Sequence, residues 1–556
     1  MASPFAPRLG TNYCPTGEEV LQIEALLVEP SLRLKGLDDE IAELQKAIDK
    51  LTEERNNLSI YVDGHKALIS PVRRLPLDII EEIFVACIPT HRNCVMSASE
   101  APVLLGRICS SWRTISLSTP RLWAKLHIVE PSRWRFGSSN ALVDDKVAQR
   151  LDTMKMWLGR SGQCPLSISL QSGPDYDSPP STPTETSGQF LQELIPFARR
   201  WQHIRLAMSP VVFKELAHLT AEDVPMLESV AVHPQHQYPS AGVPWEHFGM
   251  LSSPRICSFA ATGNSFPLSL FNPQILPLCW NLLTDLTIDG PTWQSPMSSG
   301  AMLQTMSHCT QLRTCKLVIN DLGNPDLSHY SPVALPFLHT LELEFGTTPG
   351  SPVSRLLDWL SLPELRDFTL HGHTIMPHYL VSFFGLCPRL ESVSIDSNSF
   401  SKNSLLENLR GLPPTTRHLT IHDISHGSGD PLAASLDDKA LEVLTPASGI
   451  STCCPALESL TITYCSLISD SALLGFIQGR MAIADDSEVG HTATLKRVEI
   501  QFNRRMTLDV MPSLKPFIET GGLEVLISYI SSRSTQFSPW QGLVDAPSPW
   551  AYSDDW

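Results

Sequence analysis

The pattern Leu-x-x-Leu-x-Leu, loosely kept, governs what most of this chain can fold into. Clear copies begin at Leu227, Leu283, Leu312, Leu338, Leu365, Leu390, Leu457 and Leu495, and degenerate ones at Trp201, Ile256, Thr416 and Leu523. Nine successive starts, from Trp201 to Thr416, lie 25 to 29 residues apart. Apolar residues alternating over so short a run predict a half-buried strand. A fixed period of this length marks a solenoid, one supersecondary unit per repeat. Apolar stretches such as Leu356–Leu360 and Tyr379–Phe384 fall between strands, where a covering helix belongs. The predicted fold class is α/β, short parallel strands alternating with helices.

Each unit of a solenoid touches only its neighbours, so long loops are tolerated. Ser172 to Gly188 reads as a disordered insertion and His233 to Pro244 as a loop. Two later steps lengthen, with Ser425–Leu436 and Ala484–Thr494 as the bulges. Residues 1–17 and the Ser/Pro-rich tail 531–556, with Trp540, Trp550 and Trp556, carry little pattern and are expected to be flexible. The repeat domain is assigned to 129–530.

Side chains between the core positions of each copy point to the opposite, concave face. The row carries Thr287, Thr314, Lys316, Thr340, Thr369, Ser392, Ser394, Asp396 and Thr420 among the groups singled out as partner-binding candidates. Those candidates are Asp285, Asp289, Glu342, Glu344, Asp367, His371, His418 and His422. A face this acidic and hydroxyl-rich, then histidine-bearing, is expected to prefer a basic or polar segment of a protein partner.

A different period precedes the repeats. Leu34, Leu37, Ile41, Leu44, Ile48, Leu51, Leu58 and Val62 step by three and four residues, interrupted only at Arg55, over roughly four heptads. This predicts a helix within 18–69, with Pro30 and Gly36 limiting it upstream. Its seam either joins a second copy in a homodimer or packs back on the same chain.

Between the two periods lies 70–128. Ser70-Pro-Val-Arg-Arg-Leu-Pro76 leads into Ile79, Ile80, Ile83 and Phe84, one apolar stripe on a short helix. Pro76 suits a first helical turn, and Asp78 and Glu81 favour its positive end. Leu104, Leu105, Ile108, Cys109 and Trp112 repeat the stripe, and Ser118-Thr-Pro-Arg-Leu-Trp123 closes the segment. Two such short helices bury little by themselves.

The Ser-Pro-x-Arg-x-Leu-Pro opening, the Cys-x-x-Trp-Arg core and the Ser-x-Pro-x-Leu-Trp close resemble the F-boxes abundant in mushroom-forming fungi. The resemblance implies a helical module docking on the Skp-type adaptor of a cullin–RING ubiquitin ligase. Leu75, Pro76, Ile79, Ile83 and Phe84 would then contribute to adaptor contact, and Leu105, Ile108 and Trp112 would pack or support that surface. Asp78 stands where Glu is commoner, and His91–Ala101 lengthens the link between helices. The preambles Cys387-Pro-x-Leu, Cys454-Pro-x-Leu, Leu335-Pro-x-Leu and Leu362-Pro-x-Leu resemble the leucine-rich repeats of F-box proteins. A helix before the F-box is also frequent in the fungal group.

Other classes find little support. The net charge of −17 opposes nonspecific nucleic-acid binding. The 13 cysteines show no zinc-site spacing. No secretory leader and no apolar run of membrane length occur, so an intracellular chain, in cytoplasm, nucleus or both, is expected. No nucleophile elbow, phosphate loop or His-Glu-x-x-His is present. His371 with His373, and His418 with His422, sit at same-face strand spacing without a third metal ligand. The expectation is no enzyme, metal, cofactor or membrane partner. It is a substrate receptor that tethers an unidentified target near a charged ubiquitin-conjugating enzyme, with a non-degradative scaffold as the alternative.

Overall fold

The computed structural model describes residues 3–131, 140–172, 188–234, 245–263, 275–289, 297–319, 321, 327–345, 353–372, 380–423, 436–446, 453–482, 493–519 and 521–530. They form two compact units, residues 1–86 and 87–556. The expected insertion, the loop after His233, both later bulges and the tail fall almost wholly outside the described residues.

In the first unit a helix, α1, runs from Gly17 to Leu68. Its start is fixed by a capping box, in which Glu19 accepts the Thr16 N–H at 2.8 Å. That bond, with others from Arg8 and Tyr13, holds the Glu19 carboxyl down at about 2. The upstream limit expected at Pro30 and Gly36 does not hold, because α1 passes through both. Pro30 removes one hydrogen bond from a 52-residue ladder, and no residue of α1 is buried, so water reaches the freed carbonyl. After a 3-10 turn at Pro71–Arg74 comes α2, Leu77–Ala86.

The second unit is built on one fully parallel sheet, 14 strands among the described residues. It comprises β1 (Lys125–Val129), β2 (Leu166–Gln171), β3 (Trp201–Met208), β4 (Ser229–Pro234), β5 (Ser258–Thr262), β6 (Asp285–Asp289) and β7 (Thr314–Ile319). It continues through β9 (Thr340–Phe345), β11 (Asp367–Gly372), β12 (Ser392–Asp396), β13 (His418–His422), β14 (Ser459–Cys465), β15 (Arg497–Phe502) and β16 (Glu524–Ser528). A separate parallel pair, β8 (Val333–Ala334) with β10 (Leu360–Ser361), lies just ahead of two Leu-Pro-x-Leu preambles.

The twelve repeats read from sequence supply β3 to β16 of the large sheet. Their register is continuous: Leu286, Cys315, Leu341, Phe368, Val393, Leu419 and Leu460 stand in one buried row. The carbonyl of the second position in each copy links the units. Thr284 O accepts from Arg313 and Thr314, Arg313 O from His339 and Thr340, and His339 O from Arg366 and Asp367. The same two-donor bond recurs at Arg366, Glu391, Arg417 and Glu458.

Helices or 3-10 turns cover the buried face. Phe190, Leu191 and Leu194 of α6 (Gln189–Leu194) are buried, as are Met302, Leu303 and Met306 of α7 (Ser299–His308). Further along, α10 (Lys402–Arg410), α11 (Asp438–Leu444), α12 (Asp470–Ala482) and α13 (Met511–Glu519) pack side by side. Short helix α9 (Val381–Gly385) covers most of the stretch Tyr379–Phe384 expected to be helical, whereas α8 (Val353–Leu357) takes only Leu356 and Leu357 of the other, whose Leu360 begins β10.

Three features go beyond the sequence reading. First, β1 and β2 extend the sheet upstream, and β1 begins inside the 70–128 segment. Second, that segment spans the two units. Its link His91–Ala101 is not a plain loop, since Val95 bridges His127 of β1 in parallel and His127 N donates to Cys94 O at 2.7 Å. Asn93 exchanges hydrogen bonds with Ser167 and Ser169 of β2, and Glu100 accepts from both Arg92 and Val95 N. The longer link thereby covers the first sheet edge, which would otherwise present unpaired backbone groups. Third, the copy at Leu523 is out of step by one residue. Val525 and Ile527 pair with Val498 and Ile500, which turns Leu526 outward.

Candidate functional site

The residues singled out by sequence fall in three places, one on the first unit and two on the second. On the first unit, α2 has its apolar stripe only partly consumed. Ile79 and Ile83, one turn apart, are 44% and 43% exposed, and Pro76 and Leu77 are exposed beside them. Leu75 is half-buried. Phe84, on the same helix, is fully buried.

The second unit holds α3 (Leu105–Ile108) and α4 (Ser110–Ser118). Leu105 is buried, Ile108 is exposed and Trp112 lies between. Cys109 caps α4, its sulfur accepting from Trp112 N. Sequence reasoning missed a groove of about 470 Å³ here, lined by Met96, Pro102, Leu117, Trp123, Met156 and Trp157. Trp123 meets Trp157 edge-on at 4.8 Å and carries the Arg160 guanidinium over its face at 4.7 Å. The signal lay in the unassigned helix α5 (Asn140–Arg160), which lines the groove with Thr153, Met156, Trp157 and Arg160.

On the open face of the sheet, the concave face of the sequence reading, strand register brings distant repeats together. Lys316 on β7 sits between Asp289 on β6 and Glu342 on β9, its Nζ 2.9 Å from a carboxylate oxygen of each. Burial pulls the Lys316 ammonium down, but its bonds to Glu342 and Asp289 outweigh this and leave it raised. Two of the acidic candidates thus share a single ammonium. Beside them Glu344 is half-buried, and burial raises its carboxyl. Asp285 accepts from Thr284 and Asp367 from Thr340.

His371 Nδ1–H donates to Asp396, 2.9 Å away, and Asp396 also accepts from Gly372 N. The bond to Asp396 raises His371 despite burial. Its ring lies 5.5 Å from that of His422, two strands away. His422 is bonded through Nδ1 to Thr463 and through Nε2 to Ser394, and burial lowers its basicity. The paired histidines are therefore His371 and His422, joined across repeats; His418 stands in another row, between Ser392 and Ser459. His373 lies outside the described residues. Among the described residues no three His, Cys, Asp or Glu side chains are placed to hold a metal ion. No described helix is long and apolar enough to cross a membrane.

The face can therefore offer hydroxyls, half-buried carboxylates and a protonatable imidazole side by side, a surface suited to hydrogen bonding with an extended polar chain. No family model matches the sequence, and no curated protein matches it.

Proposed function

We propose that this chain is the substrate receptor of a cullin–RING ubiquitin ligase of the Skp–cullin–F-box kind. In this reading residues 70–128 are an F-box, the parallel sheet is a leucine-rich-repeat horseshoe, and its open face holds a protein target inside the cell. The chain makes no bond itself; it raises the local concentration of target lysines. The observation that carries the reading is the exposed pair Ile79 and Ile83 on α2, directly downstream of Leu75-Pro76. Apolar side chains one turn apart and left in water mark a docking stripe.

Co-expression with a Skp-type adaptor and affinity capture tests it. The native chain is expected to bring the adaptor down. Ile79→Asp with Ile83→Asp is expected to weaken capture by about 100-fold or more, since docking would bury two unpaired charges. Failure of the well-folded native chain to capture the adaptor rejects the ligase reading. Capture without any change in target abundance after chain depletion selects the non-degradative scaffold instead.

A further inference from the structure

The residues along α1 distinguish between a heptad seam's possible partners, and we infer that α1 joins a second copy of this chain in a parallel, in-register, two-stranded coiled coil. Four observations lead there. The helix is continuous from Gly17 to Leu68 and none of its residues is buried. Leu34, Ile41, Ile48, Leu51 and Leu58 are each more than half exposed, and Leu37 and Val62 about two-fifths exposed, which leaves one apolar seam about 42 Å long at 1.5 Å per residue.

The seam's two layers differ in residue type. Placing Leu34 at position a puts Leu37, Leu44, Leu51 and Leu58 at d without exception. The a layer then carries Ile41, Ile48 and Val62 with Leu34 and Arg55. β-branched residues at a with leucine at d favour two parallel strands over three or four. A stripe meant for the chain's own core has no reason to sort its residues in this way.

Charge agrees with that orientation. In a parallel pair a g residue faces the e residue five positions on in the partner. Arg33 at g meets Asp38 at e, opposite in sign, and the remaining pairs Glu40–Gln45, Ala47–Thr52 and Glu54–Ser59 contain no like charges. The one polar a position, Arg55, enters a hole that the partner builds partly from Glu54, so each guanidinium gains a carboxylate and the register is fixed.

Adaptor docking and dimerisation use different residues and can succeed or fail separately. The test uses the full chain. Light scattering after size exclusion at micromolar concentration is expected to give twice the chain mass, and Ile48→Asp to weaken association by about 100-fold. Leu37→Cys and Leu58→Cys report orientation through mass-spectrometric mapping of disulfides formed on mild oxidation. In-register parallel helices link residue 37 to 37 and 58 to 58, also when the two variants are mixed. Links between 37 and 58 overturn the parallel arrangement, and a single-chain or higher-order mass overturns the two-stranded one.

Discussion

Leucines recur in both units, yet they meet different fates. Just ahead of four strands of the sheet, Leu283, Leu312, Leu338 and Leu365 are buried completely. In α1, Leu34, Leu44, Leu51 and Leu58 remain more than half exposed. The difference is one of period. A strand every 25 to 29 residues returns the chain beside itself, so the sequence carries its own partner. A heptad carries the chain away along a straight rod and leaves its seam to a separate helix. The same apolar chemistry thus builds stability in one unit and an interface in the other.

The sharpest way to break that contrast is to place one carboxylate in each period. Leu341 is fully buried between Cys315 and Phe368, so Leu341→Asp is expected to cost about 4 kcal/mol or more, or to prevent folding. Ile48→Asp is expected to leave urea unfolding of the sheet unchanged. Equal loss of the sheet transition in both variants, followed by tryptophan fluorescence, would remove the distinction.

A second prediction concerns the far end of the sheet unit. The Asp470 side chain is fully buried and accepts from Arg504 at 2.7 Å, Thr507 N at 2.9 Å, Leu508 N at 2.8 Å and Tyr529 at 3.0 Å. Burial would raise its carboxyl, but these bonds prevail and hold it well below the usual carboxylate range. The stability it contributes is therefore present above its ordinary pKa and is lost as pH falls toward the depressed one. Asp470→Asn is expected to cost about 2 kcal/mol at pH 7. In urea titrations the gap should shrink below about pH 4; a gap independent of pH would show the carboxylate charge to be immaterial.

The smallest effect is expected at His371, where the shift has the opposite sign. Its raised basicity stabilises the fold below the ordinary imidazole pKa, and that contribution is lost as pH rises through the raised value. His371→Gln should lower stability by about 1 kcal/mol at pH 5.5 and by less at pH 9. A larger deficit at pH 9 would mean that the neutral ring makes the bond that matters.

What could be read in advance followed the same divide between periods. Repeats carrying leucine or its equivalent at all three core positions were legible down to the register, because alternation of two fixes which face each side chain takes. The first two strands were not: Pro165 takes the leading place before Ile168-Ser-Leu170, and Trp123, which leads Leu126-His-Ile128, also belongs to the closing motif of the segment before it. The continuity of α1 through Pro30 was hidden because an interior proline removes a hydrogen bond and crowds the preceding turn, which ordinarily ends or kinks a helix. On the open face the carriers of charge were visible, but their pairing was not. Lys316 with Asp289 and Glu342, and His371 with Asp396, depend on which strand lies beside which, a relation between residues some 25 positions apart. The exposed Ile79 and the buried Phe84 belong to one stripe, and only packing separates them.

The ladder of doubly bonded carbonyls also explains how so proline-rich a chain forms a sheet. The sequence holds 45 prolines, and none occupies the second or third position of any of the twelve copies. Those two positions donate their N–H groups to the preceding unit in most repeats, and a proline there has nothing to donate. Immediately upstream, as at Pro336, Pro363, Pro388 and Pro455, the ring ends the preceding turn and does no harm. The parallel sheet is thus a filter on composition, confining its most restrictive residue to the segments where one strand unit hands over to the next.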